Sequence, residues 1–246
     1  EPRLVVNAAA YTAVDKAESE PEAAFAANSA GAEAAARAAA LRQVPILQLS
    51  TDYVFDGTKK GAYRETDPAA PLGIYGKSKA EGEARVRKAN PHHFILRTSW
   101  VYGRFGSNFL KTILRLSRER EELRIVADQR GCPTATADLA EAILAIDRAL
   151  AAGIDSPGTY HFAGDGVTSW HGFASLIVEV QAQETGRRPS VMPVSTAEYP
   201  TPARRPANSE LDSRLFASAF GCRASPWQTR VRETVQSLLN EERARA

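Results

Sequence analysis

The feature that most limits what this chain can fold into is an alternation in its first hundred residues. "RLVVNAAA", from Arg3, is a β-branched apolar run that ends in small residues, and "SEPEAAFAANSAGAEAAARAAALR", from Ser19, is alanine-rich with helical spacing. "PILQLSTDYVF", from Pro45, is strand-like and breaks into polar residues at Ser50; "YGKSKAEGEARVRKA", from Tyr75, reads as a helix and "HFILRTSWVYG", from His93, as a third strand. Strands that are apolar throughout are buried on both faces, and strand–helix–strand repetition predicts a parallel sheet with crossover helices. In such a sheet ligands bind beyond the carboxyl ends of the strands. The residues past those ends are Asn7 to Thr12, Ser50 to Tyr53 and Thr98 to Tyr102, so three polar or aromatic clusters are expected to converge on one edge.

The second half is less regular. "SNFLKTILRLSRERE", "TADLAEAILAIDRALAAG" and "SWHGFASLIVEVQAQ" have helical periodicity, "GTYHFAG" reads as a strand, and a last helix starts near Trp227 after the proline-rich "YPTPARRPANS". The expected architecture is α/β: a Rossmann-like parallel sheet with flanking helices and a smaller C-terminal substrate domain. Residues 1–115 would form the dinucleotide-binding part, with a contribution from about 133–165, and residues 116–246 would be mainly substrate-binding and interleaved with it.

Charge and cysteine content exclude several classes. With 31 basic and 29 acidic residues, and no long single-sign block, the chain carries no electrostatic footprint for nucleic acid or an anionic membrane. Its apolar stretches are too short for a membrane span, and no secretory signal is visible. Cys132 and Cys222, the two cysteines, sit in no CxxC or Cys/His spacing, which argues against a disulfide framework and fits a reducing cytoplasm. His92, His93, His161 and His171 have no metal-ligand spacing.

The sharpest local signal is Tyr75 followed at i+4 by Lys79. The two share one helix face. A free phenol has a pKa of about 10, too high for proton transfer at neutral pH, and a neighbouring ammonium lowers it. A hydroxyl at the adjacent strand end, Thr51, would help to hold a reacting carbonyl. Taken alone, the same pair also reads as an ordinary solvated helix pair.

"VVNAAAYTAVDKAESEPEAAFAANS", "STDYVFDGTKKGAYRETDPAAPLGIYGKSKAEGE", "ILRTSWVYG", "ADQRGCPTATADLAEAI" and "YPTPARRPANSELD" together resemble the dTDP-4-dehydrorhamnose reductase family of extended short-chain dehydrogenase/reductases, over nearly the whole chain. The resemblance implies reduction of the 4-keto group of dTDP-4-dehydro-L-rhamnose by NADPH or NADH. Tyr75 would be the proton donor, Lys79 would lower its pKa and bond the cofactor ribose, and Thr51 would orient the carbonyl and stabilise charge on its oxygen. Ala10, Tyr11 and Thr12 would line the dinucleotide. Asp52 and Trp100 would contact substrate, with Val14 and Tyr53 beside the same pocket.

Other features stay open at this stage. Arg204 and Arg205 either grip a diphosphate or are plain loop arginines, and Asp52 and Asp56 also read as turn residues around Gly57. Cys132 either lines the substrate side or is a small buried hydrophobe. Some family members use Mg2+ at a dimer contact, but no ligand set for it is placed here, so Mg2+ and a homodimer stand as open expectations. The related epimerases and dehydratases share Tyr-x-x-x-Lys, and a non-catalytic regulatory subunit of the same fold is a further alternative.

The chain also departs from the family pattern. No G-x-x-G-x-x-G follows the first strand, where a pyrophosphate would approach a helix N-terminus. The expectation is that a front section of roughly 50 residues, a βαβαβ half, is absent. "RLVVNAAA" would then lie at a sheet edge, and the chain alone would bind NADPH poorly.

Overall fold

The structure is a computed structural model and describes residues 2–244. The first half runs β1 (Val5–Asn7), the helical pieces α1 (Val14–Ala17), α2 (Pro21–Phe25) and α3 (Ala32–Leu41), β2 (Ile46–Thr51), α4 (Ile74–Ala89) and β3 (His93–Thr98). A π-helical turn at Ala26–Gly31 joins α2 to α3, so the long alanine-rich helix expected from the sequence is bent rather than straight. The turn brings Asn28 against α4 at Gly82, where an added Cβ would stand 2.0 Å from the Asn28 carbonyl oxygen. Only glycine fits at that crossing. Ala32, Ala36 and Ala39 are buried on the inner face of α3, where small side chains let the helix lie close to the sheet.

The second half continues with β4 (Val101–Tyr102), α5 (Phe109–Glu119), β5 (Glu122–Val126), β6 (Arg130–Gly131), β7 (Thr134–Ala135), α6 (Thr136–Ala151), β8 (Gly158–His161) and β9 (Thr168–Ser169). Then come α7 (Trp170–Thr185), β10 (Ser190–Val194), α8 (Arg214–Phe220) and α9 (Trp227–Arg243). The main sheet has the order β1-β2-β3-β8 and is parallel throughout, with Asn7 opposite Gln48 and Thr51 opposite Thr98. Its carboxyl ends therefore lie side by side, as the sequence pattern required. β1 is an edge strand, and Val6 is exposed.

Two cores flank this arrangement. One lies on the α6 and α8 side of the sheet, around Leu47, Phe94, Leu96, Ile146, Phe162 and Phe216. The other joins α5, α7 and α9 around Leu110, Ile113, Phe173, Ile177, Val231 and Val235. A second parallel pair, β5 with β10, was not legible in the sequence. It joins residues 122–126 to residues 190–194, a pairing that local pattern does not specify.

The third strand-like run, "HFILRTSWVYG", does not continue as one strand. It ends at Thr98, and Trp100 takes φ 47°, the left-handed region, before β4 pairs with β7. An aromatic residue there costs of order 1–3 kcal/mol, which the surrounding packing must offset.

Candidate active site

β2 ends at Thr51, which caps the short 3-10 turn Asp52–Val54. Its Oγ1 accepts the Tyr53 N–H at 3.2 Å and donates to Asp52 Oδ1 at 3.0 Å. Helix α4 starts just after Gly73, and the Ile74 N–H donates to Glu18 Oε1 at 2.8 Å, a carboxylate where the helix dipole favours one. Tyr75 thus sits in the first helical turn, half-buried and edge-on to Tyr53 at 5.9 Å.

Lys79 lies one turn further on, 4% exposed, and its Nζ donates to the Leu49 carbonyl at 2.6 Å. This differs from the expectation that the ammonium lowers the phenol pKa. Burial pushes Tyr75 up to about 12; Thr51 opposes that shift and the Asp52 carboxylate adds to it. The physical reason is that a buried ammonium bonds the strand-end carbonyl within its reach, and a neutral phenol attracts it little. Burial also pulls Lys79 down to about 8, against the Glu83 carboxylate.

Glu83 extends the stripe Tyr75, Lys79, Glu83 at i+4 spacing. It is 2% exposed and accepts from Arg97 Nε at 2.9 Å, Arg97 Nη2 at 2.7 Å, Ser50 Oγ at 2.6 Å and Arg87 Nη2 at 2.9 Å. Burial opposes its charge, but Arg97 and Ser50 hold the carboxyl below its ordinary range. The network ties α4 to β2 and β3 directly below Lys79. Sequence reasoning missed it, because a glutamate inside a charged helix reads as solvated.

Beyond the strand ends lies a cavity of ≈ 590 Å³, lined among others by Thr12, Val14, Tyr53, Trp100, Trp170 and Arg205. Trp100 stacks on Trp170 with centroids 3.6 Å apart and planes 7° off parallel, and Phe109 packs on Trp170 at 4.6 Å. Gly131 makes room for this, since a Cβ there would lie 2.5 Å from the Trp100 ring. Arg205 donates to Asp15 through Nη1 at 3.1 Å and Nη2 at 2.7 Å, tying the proline-rich loop to the start of the chain, whereas Arg204 is exposed and lines no part of this cavity. Arg124, Gln129, Trp170, Tyr199 and Thr201 also line it and were not singled out in the sequence. Their only signal was residue type.

Asp52 lies in the 3-10 turn that follows β2. It is 3% exposed, its Oδ1 faces the Thr51 hydroxyl, and it does not line the cavity. Burial pushes its carboxyl up to about 7, against Ser209 and Thr51. Asp56 is a turn residue: its Oδ1 accepts the Thr58 N–H at 3.0 Å around Gly57, which has φ 78°. Cys132 is buried against Val54, Phe55 and Leu211 and lines a different cavity of ≈ 440 Å³.

The loop after β1 presents Ala8 and Ala9 to solvent, followed by the half-buried Ala10. Asn28 clamps Tyr11, accepting its N–H at 2.8 Å and donating to its carbonyl at 3.0 Å, and donates also to Ser78 Oγ at 3.0 Å. That carboxamide joins the loop to α4 next to Lys79 in sequence. Among the described residues no group of three or more His, Cys, Asp or Glu is placed to hold a metal ion, so the Mg2+ expectation gains no support. No helix of the described residues is long and apolar enough to cross a membrane.

The chain matches a known family model. The family model described as RmlD substrate binding domain covers residues 1–240. The chain belongs to this family. The dTDP-4-dehydrorhamnose reductase of Sinorhizobium fredii is 50% identical over 98% of this chain and 82% of its own length. Among solved structures, the family's reductase from Clostridium acetobutylicum superposes with TM-score 0.89 at 38% identity, covering 97% of this chain and 81% of that one. That from Bacillus anthracis, solved in complex with NADP, gives TM-score 0.86 at 38% identity over 96% of this chain and 81% of that one. The Rossmann-like α/β reading is the fold of these RmlD-type neighbours.

Proposed function

We propose that this protein reduces the 4-keto group of dTDP-4-dehydro-L-rhamnose with a nicotinamide cofactor, giving dTDP-L-rhamnose for polysaccharide synthesis. The observation that carries the reading is the Tyr75 phenol, edge-on to Tyr53 of an aromatic-walled cavity, in a chain of the reductase family. The relative holding NADP favours NADPH over NADH. Unpaired Cys132 and Cys222 suit a cytoplasmic enzyme.

The bound cofactor supplies the hydride. The protein supplies alignment and a proton. Trp100 and Trp170 form an apolar wall against the sugar nucleotide, with Val14 and Tyr53 at its side, and Arg205 offers a guanidinium to the diphosphate. Thr51 Oγ1 orients the keto oxygen, and Tyr75 donates its proton to that oxygen as charge develops on it. Burial keeps the Tyr75 proton in place until an oxygen of rising basicity arrives. Lys79 has three donors, so it can keep Leu49 O while bonding a ribose hydroxyl and adding positive charge near the phenolate. Ala10, Tyr11 and Thr12 border the dinucleotide. In this reading residues 1–115, with about 133–165, serve the cofactor and the rest of the chain serves mainly the sugar nucleotide.

The test is oxidation of NADPH dependent on dTDP-4-dehydrorhamnose, assayed on this chain and on the chain with any residues that precede it in the natural protein. One NADPH consumed per sugar reduced, and loss of turnover in Tyr75→Phe, is the expected result. Turnover of a nucleotide sugar without net NADPH consumption would assign an epimerase or dehydratase instead.

A further inference from the structure

The turn α1 (Val14–Ala17) follows the loop that carries Ala10, Tyr11 and Thr12, and two carboxylates on it bond to different parts of the molecule. Asp15 lines the cavity and holds the proline-rich segment. Its Oδ1 accepts the Ala203 N–H at 3.1 Å and Arg205 Nη1 at 3.1 Å, and its Oδ2 accepts Arg205 Nη2 at 2.7 Å. The bidentate contact orients the guanidinium before any anion arrives. Glu18, three residues further on at the C-cap of the same turn, reaches α4 instead, where its Oε1 accepts the Ile74 N–H at 2.8 Å.

α4 has no capping side chain of its own. Its N-cap is Gly73, and no acidic residue stands in its first turn. The carboxylate that meets its first N–H comes from 56 positions earlier. Gly73 leaves room for it, since a Cβ there would lie 2.6 Å from Glu18 Oε1. That first turn carries Tyr75, and it also lies against the Tyr53 backbone at Gly76, where a Cβ would stand 2.2 Å from the Tyr53 carbonyl oxygen. The place of the phenol therefore follows from how this backbone turn is seated and from the edge-on contact with Tyr53.

We propose that Glu18 is a positioning residue for Tyr75, and that Asp15 on the same turn couples it to Arg205, so that the guanidinium of the cavity and the proton donor are set by one element. The proposal rests on the reductase reading. Glu18 acts through the α4 backbone and touches neither substrate nor cofactor. A carboxylate at a helix start ordinarily stabilises the helix alone. Kinetics separate the two roles. A cap that only stabilises leaves the rate of the folded enzyme unchanged, whereas a displacement of about 1 Å at a reacting group costs on the order of 100-fold.

The experiment is steady-state NADPH oxidation with dTDP-4-dehydrorhamnose by wild type, Glu18→Ala, Glu18→Gln, Asp15→Ala and the Asp15→Ala/Glu18→Ala double variant, each in the chain with any residues that precede it in the natural protein. Glu18→Ala is expected to lower kcat about 10- to 100-fold with KM nearly constant, and to raise the solvent deuterium isotope effect as proton transfer becomes slow. Glu18→Gln keeps an oxygen that accepts the Ile74 N–H and should recover most of the rate. Asp15→Ala should raise KM about tenfold and lower kcat as well, and its effect on kcat should vanish in the Glu18→Ala background. An unchanged kcat in Glu18→Ala, or a loss that Glu18→Gln does not recover, overturns the positioning role. Effects of Asp15→Ala and Glu18→Ala on kcat that simply multiply overturn the coupling. If Glu18→Ala does not fold, Glu18→Asp decides: its carboxylate is one methylene shorter, so kcat should fall below that of Glu18→Gln, and equal values overturn the proposal. A wild type with no turnover sinks the reductase reading itself, whereas any of these contrary results with an active wild type sinks only this inference.

Discussion

The two sides of the site are built by opposite means. On the sheet side Tyr75, Lys79 and Glu83 form one stripe of α4, and buried partners on β2 and β3 fix the lower two: Leu49 O for Lys79, and Ser50 and Arg97 for Glu83. On the cavity side the wall is aromatic, from Trp100, Phe109 and Trp170, with polar groups such as Arg124 and Tyr199 left exposed at its rim. The difference separates chemistry from recognition. The charged groups below the proton donor are held rigidly and away from water, while groups that select a ligand need area and few fixed bonds.

That contrast can be broken on purpose. Tyr75→Phe removes the proton donor without changing shape, so kcat should fall about 100- to 10,000-fold with KM nearly constant; steady-state kinetics check it, and a loss confined to KM would move Tyr75 to the recognition side. Glu83→Gln leaves Arg97 buried without its carboxylate and should cost about 3 kcal/mol of stability, read by urea unfolding. A loss below about 1 kcal/mol would show that the network is plastic rather than rigid.

On the other side Trp170→Ala removes one ring of the stack. It should raise KM by up to about tenfold with kcat kept, the pattern of uniform binding, since an aromatic pair is worth about 0.5–1.5 kcal/mol beyond its area. A fall in kcat instead would mean that the wall aligns the reacting carbon as well as holding it.

A pH-dependent effect on stability concerns Lys79. Its folded pKa is depressed to about 8 from 10.5, so between those values the unfolded chain binds more protons than the folded one. Stability should therefore rise with pH across that window, and the destabilisation is fully present below it. Lys79→Met should remove this slope, as measured by denaturation at several pH values. A slope that survives in the variant would assign it to another group.

Legibility in the sequence followed the range of the interaction. The i, i+4 spacing of Tyr75 and Lys79 and the apolar strand runs are local, and they pointed to a parallel sheet and to the edge that carries Thr51. The Glu83–Arg97 pair was hidden because each residue is ordinary in its own segment. Asp52 read as a substrate contact or a turn residue, because its burial is not written in its local sequence. Trp100 looked like the tail of a strand, and its left-handed turn depends on Gly131, 31 positions later, and on Trp170.

What the sequence determined by itself is the class of sheet, the edge that carries the site and the residue types for proton transfer, because periodicity and short spacing are written along the chain. What only the tertiary structure decided is where Lys79 spends its ammonium, which carboxyls are buried, and which rings close the wall. Those depend on desolvation and on contacts between segments tens to more than a hundred residues apart, and neither is set by any local stretch of sequence.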